Sequence, residues 1–347
     1  MALLAARTRG SRRTLPSEFE LVARYFAPLS RAFPGAYGLR DDVALIRSSP
    51  GHELALKTDV IVAGVDFTPD TPPELIARKG LRVNLSDLAA KGARPRAYLL
   101  DLLLPDTIDE AWVAGFAAGL ELDQAEYDVH LIGGDTSSTP GVLAVAVSAV
   151  GEVPIDRTLR RGGARPGDRL YLTGTIGDAA LGLAAGRGEL PQLDPRSTAF
   201  LMDRLRLPRP RVALGPHLIG LATAAIDVSD GLVADLRHLC TVSRLSAVIE
   251  AHAVPLSPAA LAVIEADPAY LARALTGGDD YEILFTAPAD AAPRIAELAV
   301  QCCTSIAAIG VVSAGSGGPA QVTVLGPGGQ PMSFSTEGWT HFGGRSA

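Results

Sequence analysis

Leu54-Ala55-Leu56-Lys57-Thr58-Asp59-Val60-Ile61-Val62 is the stretch on which the fold reading turns. It reads as a strand closed by Gly64. Pro72 and Pro73 then open a long helix that Gly92 stops, because proline suits a first helical turn and glycine a helix end.

Outward from it, strands and helices stay mixed. Upstream, Ser17 and Glu20 have capping-box spacing, and Phe19, Val22, Ala23 and Phe26 share one helical face, which predicts a helix from Ser17. Downstream, the pattern predicts a strand over Tyr98–Leu104 ended by Pro105, and a helix over Ile108–Leu122. Strands at Val129–Ile132 and Val142–Val150 are expected to flank a loop, Gly133-Gly134-Asp135-Thr136. Near residue 151 the texture changes, and the glycines and proline of Arg160–Asp168 read as a connection. Beyond it come strands at Arg169–Leu172, at Ile226-Asp227, and over Ala247–Glu250, Tyr281–Thr286, Ser305–Val312 and Val322–Leu325. Helices are expected over Ala179–Ala185, Thr198–Leu205 and Gly231–Val242. This pattern predicts two α+β domains, over residues 17–152 and 153–347, behind a flexible tail of residues 1–16.

Composition bounds the function. A chain of 347 residues is long enough for two domains, and 48% hydrophobic with 20% charged residues is globular. A net charge of −7 argues against nucleic acid as the main partner, since phosphate binding there uses basic patches. The 3 cysteines cannot build a disulfide framework, and a reducing cytoplasm follows. Met1-Ala-Leu-Leu-Ala-Ala precedes Arg7, Arg9, Arg12 and Arg13, the reverse of a secretory signal. No apolar run reaches the roughly 18 residues of a membrane span, so no membrane partner is expected.

Familiar catalytic motifs are absent. Lysine occurs only at Lys57, Lys79 and Lys91, none after a glycine, so there is no Walker A loop. No GxGxxG opens a helix, and the six histidines are scattered. What remains is aspartate beside small or polar residues: Asp41-Asp42, Thr58-Asp59, Asn84-Leu85-Ser86-Asp87, Gly134-Asp135-Thr136 and Asp227-Val228-Ser229-Asp230-Gly231. Each is expected in or beside a turn, where one aspartate alone could simply cap backbone. As a set, oxygen-only ligands of this kind suit Mg²⁺.

Thr58-Asp59…Gly64…Phe67, Asn84-Leu-Ser-Asp87, Gly133-Gly-Asp-Thr136, Arg161-Gly-Gly-Ala-Arg-Pro-Gly-Asp168, Ile226-Asp-Val-Ser-Asp-Gly-Leu232 and Gly277-Gly-Asp-Asp-Tyr-Glu282 occur in this order. Together they resemble the thiamine-monophosphate kinase family of the PurM-like superfamily, from about Ser17 to Phe342. The resemblance implies a two-domain PurM-like α+β fold, with an N-terminal α/β domain forming a homodimer interface and a C-terminal α+β domain. It implies ATP-dependent phosphorylation of thiamine monophosphate, with ATP as co-substrate. It implies several Mg²⁺ ions per site on Asp42, Thr58, Asp59, Asp87, Asp135, Asp227 and Asp230. It implies nucleotide contacts at Gly134, Asp135, Arg161 and Ser229, and substrate contacts at Asp66, Asp279 and Trp339. No general base is implied, because the attacking phosphate oxygen is already deprotonated at neutral pH.

The chain departs from the family pattern where Lys57 replaces a frequent hydroxyl, Asp66 a histidine, Asp279 a glutamate and Arg40 a glycine. At Lys57 any metal contact would use the backbone carbonyl. The alternatives are another ATP-using enzyme of the superfamily, or a non-catalytic nucleotide-binding dimer.

Overall fold

The computed structural model describes residues 15–315 and 317–340. It opens on a short helix, α1 (Glu18–Leu21), where the Glu20 carboxylate accepts from both the backbone N–H and the hydroxyl of Ser17. The longer helix expected there does not form. The chain widens into a π turn over Val22–Phe26 and tightens into a 3-10 turn over Ala27–Ser30. Pro28 lacks the N–H that an α-helical ladder needs. Most of the expected tail lies outside the described residues, and Leu15 already packs on the first core.

The first domain contains β1 (His52–Val62), α2 (Pro73–Ala90), β2 (Arg94–Pro105), α3 (Glu110–Tyr127), β3 (His130–Thr139) and β4 (Ala144–Pro154). Its sheet runs β1-β4-β2-β3, with β2 and β3 parallel and the other pairs antiparallel. The strand period of two divides the side chains between faces. Ile61, Leu100, Leu102, Val145 and Val147 form one core with Leu81 and Leu85 of α2 and Phe116 and Leu120 of α3. On the opposite face Leu54, Leu56, Val60, Leu99 and Leu103 stay exposed, Leu56 at 76%.

Gly133–Thr136 is not the expected loop but the middle of β3. It pairs with β2 past a register shift at Tyr98/Leu99, and Gly134 has φ +137°. A Cβ at Gly134 would lie 1.8 Å from the Leu100 carbonyl oxygen, so only glycine lets the two backbones close here.

The second domain follows a connection over residues 155–168. It contains β5 (Arg169–Thr173), α4 (Asp178–Gly186), α5 (Pro195–Arg206), β6 (Ala224–Val228), α6 (Leu232–Ser243), β7 (Leu245–Glu250), α7 (Pro258–Ala266), α8 (Tyr270–Thr276), β8 (Glu282–Ala287), α9 (Ala292–Gln301), β9 (Ile306–Ala314) and β10 (Val322–Leu325). The sheet order is β10-β7-β9-β5-β8-β6, with β10 and β7 parallel. Leu170 and Leu172 of β5 pack with α6, while Tyr171 turns to Ile295 and Leu298 of α9. Ala89 and Ala90 of α2 join that second cluster with Leu214, Leu218 and Phe285. The end of α2 is therefore held between both domains, and its polar residues are buried there. No helix of the described residues is long and apolar enough to cross a membrane.

Candidate functional site

The last turns of α2 face β1 on one side and β6 on the other. Lys57 and Asp59 stand two residues apart on β1, hence on the same face, the one α2 covers. The Lys57 ammonium lies 3.1 Å from Asp59 Oδ1 and 2.8 Å from Asp87 Oδ2. Burial alone would lower the Lys57 pKa, but Asp87 and Asp59 outweigh it and the net shift is upward. Burial likewise raises Asp59, against the pull of Lys57. From the neighbouring residue of α2, the Ser86 hydroxyl donates to Asp227 Oδ2 at 2.8 Å. Asp227 is pushed up to about 7, by burial first and by the Asp87 charge second.

Beyond β6 the chain turns through Ser229, Asp230 and Gly231 into α6. All three backbone N–H groups donate to Asp235 Oδ2, at 3.0, 3.0 and 3.2 Å. Neither Ser229 nor Asp230 is the N-cap; Gly231 is, with φ +124°. Desolvation, with Asp227 and Asp230 nearby, pushes Asp235 up to about 8. Two further segments stack on this turn. The Asp279 N–H donates to the Ser229 carbonyl at 2.8 Å, and the Trp339 N–H to the Asp230 carbonyl at 3.0 Å. Trp339 is 56% exposed. His341 and Phe342, the next residues but one in the sequence, lie outside the described residues.

The Lys79 ammonium joins Asp66 to Asp279. It donates to the Asp66 carbonyl at 2.8 Å and pairs with Asp279 Oδ2 at 2.9 Å. The Tyr281 hydroxyl donates to the other Asp279 oxygen at 3.1 Å. Asp279 and Tyr281 both hold positive φ, +72° and +53°, backbone that non-glycine residues adopt at a cost of about 1–3 kcal/mol. The Asp66 carboxylate accepts the Val62 N–H at 2.7 Å and so closes the turn after β1.

On the outward face of the first sheet, Asp135 pairs in register with Asp101, whose Oδ1 accepts the Asp135 N–H at 2.9 Å. Thr58 faces outward too, opposite to Asp59, and bonds Ser148 Oγ at 3.0 Å. Asp42 accompanies Asp41 in an exposed segment, and among the described residues no hydrogen bond or ion pair joins it to the other candidates. Arg161 is exposed, with its charge felt at Lys91. The Lys91 ammonium caps the Ala225 carbonyl at 2.7 Å, and burial lowers its pKa to about 8.

Asp59 in β1 and Asp87 in α2 sit in the strand and helix expected of them, whereas Asp135 sits in β3 and not in a loop. Among the described residues no group of three or more His, Cys, Asp or Glu side chains stands ready to hold a metal. Mg²⁺ needs only one or two carboxylates when phosphates complete its shell, and the donors present are all oxygens. Asp87, Asp227 and Ser86 on the inner side, and Asp101 with Asp135 on the outer, fit that chemistry. The buried Asn84 Oδ1, one turn before Asp87, has no hydrogen-bond partner and leaves an acceptor to spare. The Asp59–Asp87 gap differs, because an ammonium already stands in it.

Sequence reasoning missed Lys79, Lys91, Asp101 and Asp235 as parts of this site. An acid four residues into the helix after Asp-Gly was the available signal for Asp235. Nothing local marked Lys79, whose partner Asp279 belongs to the other domain.

The comparisons follow this geometry. The N-terminal domain of AIR synthase related protein matches residues 40–153, and the C-terminal domain of that protein matches residues 165–322. The thiamine-monophosphate kinase of Caulobacter vibrioides is 39% identical, over 94% of this chain and 91% of its own length. A crystal structure of thiamine-monophosphate kinase from Stenotrophomonas maltophilia K279a superposes with a TM-score of 0.78 at 36% identity, covering 86% of this chain and 96% of that one. AaThiL complexed with AMPPCP and TMP superposes at 0.74 with 32% identity, covering 87% and 91%.

Proposed function

The chain belongs to the thiamine-monophosphate kinase family, and from that membership we infer that it phosphorylates thiamine monophosphate to thiamine diphosphate with ATP. It is a phosphotransferase whose acceptor is itself a phosphate. The observation that carries the reading is the meeting of Asp87, Asp227 and the Gly277–Tyr281 loop where α2 passes between the two domains.

Two polyanions have to approach each other in an acidic pocket. Like charges 4 Å apart repel by about 4 kcal/mol per pair at an effective dielectric of 20. Mg²⁺, when bound, would supply the compensating charge. Asp87 and Asp227 would hold it on the inner side and Asp135 with Asp101 on the outer, several ions per site. The substrate's phosphate oxygen attacks the γ-phosphorus, the bond to the β-bridging oxygen breaks, and ADP leaves; no proton needs a base. Gly134 would let backbone approach the nucleotide, and Arg161 and Ser229 would contact it. Asp279, held by Lys79 and Tyr281, and Trp339 flank the substrate; an indole face attracts a cationic thiazolium. Asp66 supports this wall from the turn after β1.

The exposed apolar face of the first sheet supports a homodimer through the N-terminal domains, because patches of this kind mark association sites. Leu56→Glu is expected to leave a monomer in light scattering. The three free cysteines agree with a cytoplasmic setting.

The test is product analysis. Thiamine diphosphate and ADP are expected in equal amounts, only with thiamine monophosphate and Mg²⁺ together. ATP turnover without thiamine monophosphate would point to another enzyme of the superfamily, and binding without turnover to a nucleotide-binding dimer.

A further inference from the structure

The Asp59–Asp87 pair is bridged, in this chain, by its own side chain. Lys57 leaves β1 on the face that α2 covers, and its Nζ reaches one oxygen of each carboxylate, 3.1 Å from Asp59 and 2.8 Å from Asp87. The three side chains are only partly exposed, at 29%, 38% and 17%. Such distances belong to an ammonium with its hydrogens between the oxygens, whereas Mg²⁺ would draw them to about 2.0–2.1 Å.

The position is also well defined. Lys57 and Asp59 share a strand face two residues apart, so their separation is set by backbone geometry. Asp87 belongs to a helix clamped between both domains. The gap between the carboxylates therefore has little freedom to admit a second cation beside the first. A divalent ion entering there would have to expel a tethered ammonium and meet its positive charge at close range.

We propose that Lys57 is a built-in cation that takes the place of one divalent ion between Asp59 and Asp87, so that this pair binds no metal. This deepens the metal-assisted reading of the site given above. Asp87 keeps its other oxygen for a metal near Asp227, which feels the Asp87 charge, and the other carboxylates keep their roles. The chain then needs one ion fewer to neutralise its pocket, and part of the charge that faces the phosphates is covalently fixed.

The test counts bound metal. Mn²⁺ per chain is measured by electron paramagnetic resonance of the free ion, with full-length protein, with and without the non-hydrolysable nucleotide AMPPCP. Lys57→Ser is expected to bind one more Mn²⁺ per chain than the wild type. A second variant covers the case in which Lys57→Ser does not fold: Asp59→Asn in the wild-type background is expected to leave the Mn²⁺ count unchanged. Equal counts in wild type and Lys57→Ser, zero included, overturn the proposal. So does a count lowered by one in Asp59→Asn. Neither readout needs turnover, so failure here stays separate from failure of the kinase reading, which product analysis decides.

Discussion

Lys79 and Asp279 stand 200 positions apart in the chain and pair at 2.9 Å across the junction of the two domains. The lysine side chain is only 4% exposed and Asp279 is 33% exposed, so the pair has one dry and one wet partner. The same ammonium holds the Asp66 carbonyl, which binds the turn after β1 to the Gly277–Tyr281 loop. A cation buried in the first domain thus sets the position of Asp279, a residue proposed for the substrate wall, in the second.

Lys79→Met is expected to destabilise the fold by about 2–3 kcal/mol, because it removes a buried ammonium and leaves two acceptors short of a donor. Urea unfolding at neutral pH measures this. The KM for thiamine monophosphate is expected to rise more than that for ATP, as the 277–281 loop loses its tether.

Gly134→Ala places a methyl group 1.8 Å from the Leu100 carbonyl oxygen in backbone at φ +137°. Strain and overpacking together are expected to cost about 2–4 kcal/mol. Circular dichroism melting checks the stability, and hydrogen exchange should show the loss concentrated in the β2–β3 pairing.

Ser86→Ala removes the hydroxyl that donates to Asp227 Oδ2 at 2.8 Å. Supporting hydrogen bonds to ligand side chains are worth roughly 10–100-fold in metal affinity or activity. A fall of that size in kcat is expected, with the fold retained by circular dichroism and the Mg²⁺ concentration for half-activity raised.

Glu152 accepts from the Ser49 N–H and hydroxyl at 2.8 and 2.9 Å and pairs with Arg96. Burial would raise its pKa, but these partners outweigh it and hold it below the usual glutamate range. A depressed carboxylate stabilises the native state above its unfolded pKa, and this contribution fades as pH falls through the lower folded value. Glu152→Gln is expected to cost about 1–3 kcal/mol at pH 7. The gap from wild type should narrow steadily below about pH 4.5, read as urea midpoints across pH.

The spacing of apolar residues was enough to predict two mixed domains and most of their strands and helices, because burial on one face demands a period of two in a strand such as β4 and a longer run, bounded by proline and glycine, in a helix such as α2. Proline and glycine marked the α2 ends for the same local reason. The first helix and the Gly133–Thr136 segment failed that reading. At the first, Pro28 and the π turn broke a pattern that looked periodic. At the second, two glycines read as a loop where a parallel neighbour made them strand.

Which carboxylates meet, and what stands between them, was beyond local pattern. Thr58 and Asp59 are adjacent in sequence, yet the pleat sends them to opposite faces of the sheet, one to Ser148 and one to Lys57. Lys79 finds Asp279, and Ser86 finds Asp227, only because α2 is packed between two sheets formed by distant parts of the chain. Sequence determines the elements and the supply of oxygen donors, since both follow from residue chemistry and short-range periodicity. Tertiary packing decides their partners, because charge interaction depends on distance and burial, and neither is set until the domains close on one another.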